Sequence, residues 1–124
     1  MLKQKALVDV LGQVNTNGVD GSWLFNKEGL LLAFVGTQSK TVAANVSSAL
    51  LASVWTALER RANDLTESIL VLEDGVIAFT LIARSMLLAV RSNKKTEVGM
   101  VRAKLHSLAA YLEQPILSIS HDQL

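Results

Sequence analysis

Hydrophobic positions recur at two periods along this chain, and the switches between them lay out its elements. Leu2, Ala6, Leu7, Val10, Leu11 and Val14 fall at helical spacing with Lys3, Lys5 and Asp9 turned away, which predicts a first amphipathic helix. Asn15-Thr16-Asn17-Gly18 stops it, because Asn and Gly accept the left-handed backbone that ends helices. Apolar runs at residues 22–25 and 30–35 then flank the polar turn Asn26-Lys27-Glu28-Gly29, the pattern of a β-hairpin. Residues 68–72, 76–82 and 86–90 read as a meander of three strands, joined by Glu73-Asp74-Gly75 and Ala83-Arg84-Ser85. The Asp-Gly pair is a strong hairpin signal. A last helix is predicted from Val98 to about Leu112, with Val98, Val101, Leu105, Leu108, Ala109 and Leu112 inward and Arg102, Lys104 and Glu113 outward. Pro115 is expected to end it, leaving residues 116–124 as a surface tail.

The middle of the chain breaks the one-stripe rule. Residues 41–58, TVAANVSSALLASVWTAL, carry no charge, with Lys40 before them and Glu59-Arg60-Arg61 after. Val42, Val46, Leu50, Val54 and Ala57 make one helical row; Ala43, Leu51, Trp55, Leu58 and Ala62 make a second. A surface helix needs one stripe to sit on its own core. Three placements account for two: a contact with another protein chain, complete burial within the domain, or a membrane span. So short a chain surrounds a helix poorly. The scattered Asn45, Ser47, Ser48, Ser53 and Thr56 suit lipid badly. The reading carried forward is contact with another chain. Ser39 or Thr41 is the expected N-cap, and Asn63-Asp64 the expected break.

The strands do not alternate cleanly between apolar and polar, since residues 30–35 and 69–72 are apolar on both faces. Such a sheet is covered on both sides. The expected fold is α+β: α-ββ-α-βββ-α around a five-stranded antiparallel sheet. The terminal helices lie on one face and the central helix on the other, in three layers with a single core. One domain spans residues 1–124, with an ordered core at about 2–115.

Composition narrows the function. Half of the 124 residues are hydrophobic, and the mean hydropathy of +0.34 is high, which supports extra buried surface at an interface. A formal charge of +1 gives no electrostatic case for nucleic acid. No cysteine is present, so disulfide and thiol chemistry are excluded. The first residues are too polar for a secretory signal, Leu2 precludes myristoylation, and the C-terminus has no prenylation cysteine, so any membrane attachment is expected through another subunit. His106 and His121 have no close Cys, second His or HExxH pattern. Asp20, Glu28, Glu73 and Asp74 read as turn or helix-end carboxylates, and Lys94-Lys95 as a solvated loop. Trp23 and Trp55 are expected to anchor a core or an interface. No catalytic, cofactor or metal residues are expected.

The chain resembles the roadblock/LC7 family, and within it the adaptor subunits of the Ragulator complex. The likeness is carried by Met1-Leu2-Lys3, Lys5-Ala6-Leu7, Val10-Leu11, Asn15-Thr16, Gly18-Val19, Asn26, Glu28-Gly29, Leu31-Leu32-Ala33, Trp55 and Gly75. Near the end it continues in Val98-Gly99-Met100, Ala103-Lys104, Tyr111-Leu112-Glu113 and Pro115. The stretches 36–41 and 63–67 are short against the family. The resemblance implies a roadblock/longin/profilin-like fold and a non-catalytic scaffold. Such domains pair through the central helix and the neighbouring edge strand, here Val46, Ala49, Leu50, Ser53, Val54 and Ala57 with Ser68, Ile69, Leu70, Val71 and Leu72. The implied partner is the MAP-kinase scaffold subunit, itself of roadblock fold. The implied setting is the late endosome or lysosome, reached through a lipidated subunit, with Rag GTPases, TORC1 and MAP-kinase signalling. A homodimeric dynein light chain, a small-GTPase regulator and a small-ligand sensor on a similar fold stay open as alternatives.

Overall fold

A computed structural model describes residues 4–13, 18–36, 41–61, 65–93 and 95–122. The elements follow the expected order: α1 (Gln4–Gly12), β1 (Val19–Asn26), β2 (Leu31–Gly36), α2 (Thr41–Glu59), β3 (Glu67–Leu72), β4 (Gly75–Ile82), β5 (Met86–Asn93) and α3 (Val98–Asp122). Asn15 to Asn17, Ser39, Asn63, Asp64 and Lys94 lie outside the described residues. The strands form one antiparallel sheet in the order β2-β1-β5-β4-β3. The pairs β1–β2, β3–β4 and β4–β5 are hairpins, β2 and β3, connected through α2, form the two edges, and β1 pairs with β5 in the middle.

Two core clusters, rather than the single core expected, fill the space above and below the sheet. On one face Leu7 and Leu11 of α1 and Val101, Leu105, Leu108, Leu112 and Ile116 of α3 pack on Leu24, Ala33, Ala78, Leu88 and Val90. On the other, Ala44, Leu51, Ala52 and Trp55 of α2 pack on Trp23, Phe25, Phe79, Leu87 and Ala89. The sheet separates them because strand side chains alternate between its faces. Leu87 and Ala89 point to α2, while Leu88 and Val90 point to the terminal helices. All four have 0% exposure, which is why β5 reads as an unbroken apolar run.

Three local expectations change. β1 starts three residues earlier than its apolar run, because Asp20 and Gly21 hide its beginning and the pairing with β5 shifts between Val19 and Gly21. Pro115 does not end α3, which continues to Asp122; Ile116, one turn beyond Leu112, is buried in the terminal-helix cluster and anchors the continuation. The tail expected from residue 116 is therefore helical as far as Asp122. The β3–β4 hairpin turns on Glu73 and Asp74 alone, since Leu72 already pairs with Gly75. Gly75 is outside the left-handed region. It must be glycine because a Cβ there would run into the carbonyl oxygen of Ser92 on the neighbouring strand.

In the β4–β5 hairpin the left-handed backbone falls on residues that are not glycine. Ala83 and Arg84 have φ of 51° and 66°, and Ser85 N donates to Ile82 O at 3.3 Å. Two successive positive φ values inside such a bond make a type I′ turn, the twist a tight hairpin needs. An L-residue there costs about 1–2 kcal/mol. Arg84→Gly is accordingly expected to raise unfolding free energy by about 0.5–1 kcal/mol, read from the urea midpoint; an unchanged or lower midpoint would show that the arginine compensates its own strain.

Candidate partner-binding face

The fold sorts the two rows of α2. Ala44, Ser48, Leu51, Ala52 and Trp55 are buried, so the row of Leu51 and Trp55 is the inner one. Val46 is 54% and Leu50 63% exposed; Ala49, Ser53 and Ala57 are also exposed, and Val54 is half-buried. A helix with one face packed on its own sheet and the other exposed is not wholly internal. Among the described residues no helix is long and apolar enough to cross a membrane.

Which flank of α2 faces which edge is fixed by polar contacts. The Ser48 hydroxyl donates to the Gly29 carbonyl at 3.0 Å. Lys27 Nζ meets Glu59 Oε2 at 3.2 Å. Both contacts tie the β1–β2 turn to one flank of the helix. Gly29, at φ +91°, comes so near that a Cβ would stand 2.9 Å from Ala49 Cα. Trp55 Nε1 donates to the same Glu59 carboxylate at 3.3 Å, and its ring tilts against Phe79 at 5.7 Å. These anchors hold α2 over β1 and β2, its principal contacts in the sheet. Helical geometry then turns Leu50, Val54 and Ala57 toward β4 and β3. On that side Leu70, Ile77 and Leu81 are only partly covered.

β3 closes this ledge as an edge strand. Ser68, Ile69 and Leu70 are half-buried, while Val71 is 77% and Leu72 39% exposed. Its pairing with β4 runs without a register shift from Glu67↔Thr80 to Leu72↔Gly75. The opposite edge, β2, is irregular: the register shifts between Leu24 and Phe25, which pair with Ala33 and Leu31. A bulge blunts an edge against further strand pairing, whereas a straight apolar edge invites it. The sequence-expected residues divide: Val46, Leu50, Ser53, Val54 and Ala57 lie on the side of α2 away from the β1–β2 turn, and Leu70 packs in the α2 cluster with Ser68 on the same strand face. Ala49 stands instead against Gly29 of that turn, and Ile69 packs into the terminal-helix cluster, with Val71 on that opposite face of the sheet. Trp23 and Trp55, by contrast, are core residues.

An ion cluster joins β3 to α3. Glu67, at the start of β3, accepts from Arg102 Nε at 2.9 Å and from Arg102 Nη2. Its other oxygen lies 2.8 Å from His106 Nε2. His106 is exposed; the sequence reading missed this cluster, whose one sequence signal is the i, i+4 spacing of Arg102 and His106. The Arg102 hydrogen bonds, and secondarily His106, hold the Glu67 carboxyl below its ordinary 4.5 against the opposing effect of burial. Such a group contributes stability that is full above its ordinary value and is lost as pH falls through the lowered one. Glu67→Gln is expected to lower the urea midpoint at neutral pH and to flatten its fall below about pH 4.5; parallel curves for variant and parent would remove Glu67 from the acid response.

Two other carboxylates share one arginine. Asp20 is on β1 rather than in a turn, and its side chain takes Arg91 at 3.0 Å while Asp74 takes the same guanidinium at 2.9 Å. Glu28 and Glu73 are exposed turn residues, as expected. His121 falls in the last turns of α3. Among the described residues no three His, Cys, Asp or Glu side chains come together as a metal site would require.

The family description "Roadblock/LC7 domain" matches residues 5–92, stopping before α3. A Caenorhabditis elegans protein named "Ragulator complex protein LAMTOR2 homolog" is 80% identical over 122 residues, covering 98% of each chain. Among solved structures, the gliding protein mglB of Thermus thermophilus superposes with a TM-score of 0.79 at 16% identity, covering 90% of this chain and 88% of that one. Myxococcus xanthus MglB gives 0.79 at 18% identity, covering 90% and 95%. Schizosaccharomyces pombe profilin gives 0.62 at 15%, covering 89% and 96%. At these identities the structural likeness is one of fold.

Proposed function

The chain belongs to the roadblock/LC7 family, and from that premise we propose that it is a non-catalytic scaffold subunit of a Ragulator-like complex. It pairs with a second roadblock-fold chain, the MAP-kinase scaffold subunit of that complex. The observation that carries this reading is the exposed apolar row of α2 beside a straight, unprotected β3 edge. Strand-to-strand pairing across β3 would satisfy its outward N–H and C=O groups and join two sheets into one. The second α2 would cover Leu50, Val54 and Ala57. A stable pair of this kind buries roughly 1,600 Å² in total.

The name of the 80% identical relative supports the wider setting. In that setting the pair is held on late endosomes and lysosomes by a lipidated subunit, where it supports Rag GTPase recruitment, TORC1 activation and MAP-kinase signalling. The test is affinity purification of the tagged chain with mass spectrometry of the chains that co-elute. A second roadblock-fold chain in equal amount is expected. Recovery of the chain alone, or only with copies of itself, would overturn the proposal and favour the light-chain alternative.

A further inference from the structure

We infer that Arg61, with Arg60 beside it, selects the partner: it opposes pairing with a second copy of this chain and favours a chain whose central helix opens with acidic residues. This rests on the pairing face proposed above. The exposed row of α2 does not stop at Ala57, because Leu50, Val54, Ala57 and Arg61 follow at helical spacing. Arg60 N and Arg61 N still donate to Thr56 O and Leu58 O at 3.3 and 3.0 Å, so the helical path carries through both residues. Both are exposed. Glu59, their neighbour, is occupied by Lys27 and Trp55 and does not neutralise them. On their own helix the arginines are favourable, since cations suit a helix C-terminus.

Pairing changes their surroundings. Two β3 strands joined edge to edge about a two-fold axis run antiparallel, and the α2 helices above them do so as well. The exposed row runs from Val46 to Ala57, so its midpoint falls between Leu51 and Ala52. Arg61 then lies about 14 Å along the axis from that midpoint, and Thr41 about 16 Å on the other side. In an antiparallel pair centred there, Arg61 stands level with the first turn of the facing α2. That turn carries the positive end of a helix dipole. The first turn of this chain's α2 has no acidic residue to offset it, and Lys40 precedes it. A second copy therefore presents positive charge to Arg61 twice, once at each end of the pair. A partner with Asp or Glu in that turn converts the contact between Arg61 and its helix N-terminus into attraction. The apolar row supplies affinity without discrimination, and the arginine supplies the discrimination.

The test needs only this chain. Sedimentation equilibrium at low salt compares the parent with Arg61→Glu and with Arg60→Glu/Arg61→Glu. Self-association is expected to tighten about tenfold in Arg61→Glu, more in the double variant, and less in Arg61→Gln, with most of the gain lost at about 0.5 M salt. Lys95→Glu makes the same change in net charge in the loop before α3 and is expected to leave self-association at the parent value. Variants that associate no more tightly than the parent overturn the inference, as does an equal gain in Lys95→Glu. Leu50→Asp placed in the Arg61→Glu chain separates the two readings. If it abolishes the gained association, the face stands. If association persists, the pairing face itself is misplaced. If Leu50→Asp disrupts pairing while Arg61→Glu gains nothing, only the selection by Arg61 falls.

Discussion

Leu50→Asp is expected to abolish pairing with the partner subunit while leaving the domain folded. The two effects separate because Leu50 is 63% exposed in the single chain. There an aspartate stays in water and replaces few packing contacts, so unfolding free energy should change by no more than about 0.5 kcal/mol. In the proposed pair the same position would lie against the second central helix. An unpaired charge buried in such a patch costs about 3–5 kcal/mol, which lowers affinity by roughly two to three orders of magnitude or more. The readouts are co-purification yield for pairing and thermal melting for the fold. Normal yield with a normal melt would move the interface elsewhere. Val54→Asp is expected to break pairing too, but Val54 is half-buried against the α2 core, so part of its effect would fall on stability. Leu50 is therefore the cleaner probe.

Trp55→Ala should give the largest loss of stability of any single substitution in α2. Its ring has 0% exposure, stands against Phe79, and carries the hydrogen bond to Glu59 that in turn holds Lys27. Truncation removes the ring contact with Phe79 of β4 and leaves a cavity beneath α2. The expected cost is about 3–5 kcal/mol, against a total of about 5–15 kcal/mol for a domain. That corresponds to a fall of roughly 10–20 °C in Tm. Trp55→Phe keeps much of the volume and loses the N–H donor, so it should cost less than half as much. A Trp55→Ala chain that melts within a few degrees of the parent would show that α2 is held chiefly by the β1–β2 turn. Pairing should weaken with it, since the helix that presents Leu50 would lose its seat.

Much of this architecture is legible from spacing. The start of α2, the β1–β2 hairpin, the three-strand meander and the start of α3 follow from periods of 3.6 and 2 and from turn residues. Other features misled or stayed silent for identifiable reasons. Pro115 reads as a stop, but one lost backbone hydrogen bond is outweighed when Ile116 finds a buried site one turn on. Asp74-Gly75 marks a hairpin correctly, yet the glycine is required by Ser92 on the next strand rather than by the turn. Ala83 and Arg84 adopt the left-handed turn without any residue that advertises it.

The amino-acid order alone determined which segments are helix and which are strand, that both sheet faces are covered, and that α2 has more apolar surface than one core requires. These are properties of near neighbours in the chain, where local spacing decides which side chains share a face. Only the folded structure decided that Leu51 and Trp55 face inward while Val46 and Leu50 face out, because that depends on where β1, β4 and β5 stand beneath the helix. It also decided that β3 is a straight edge and β2 a bulged one. Glu67 meets Arg102 and His106, 35 and 39 residues away, for the same reason: long-range pairing is set by the closing of the sheet, and no local pattern encodes it.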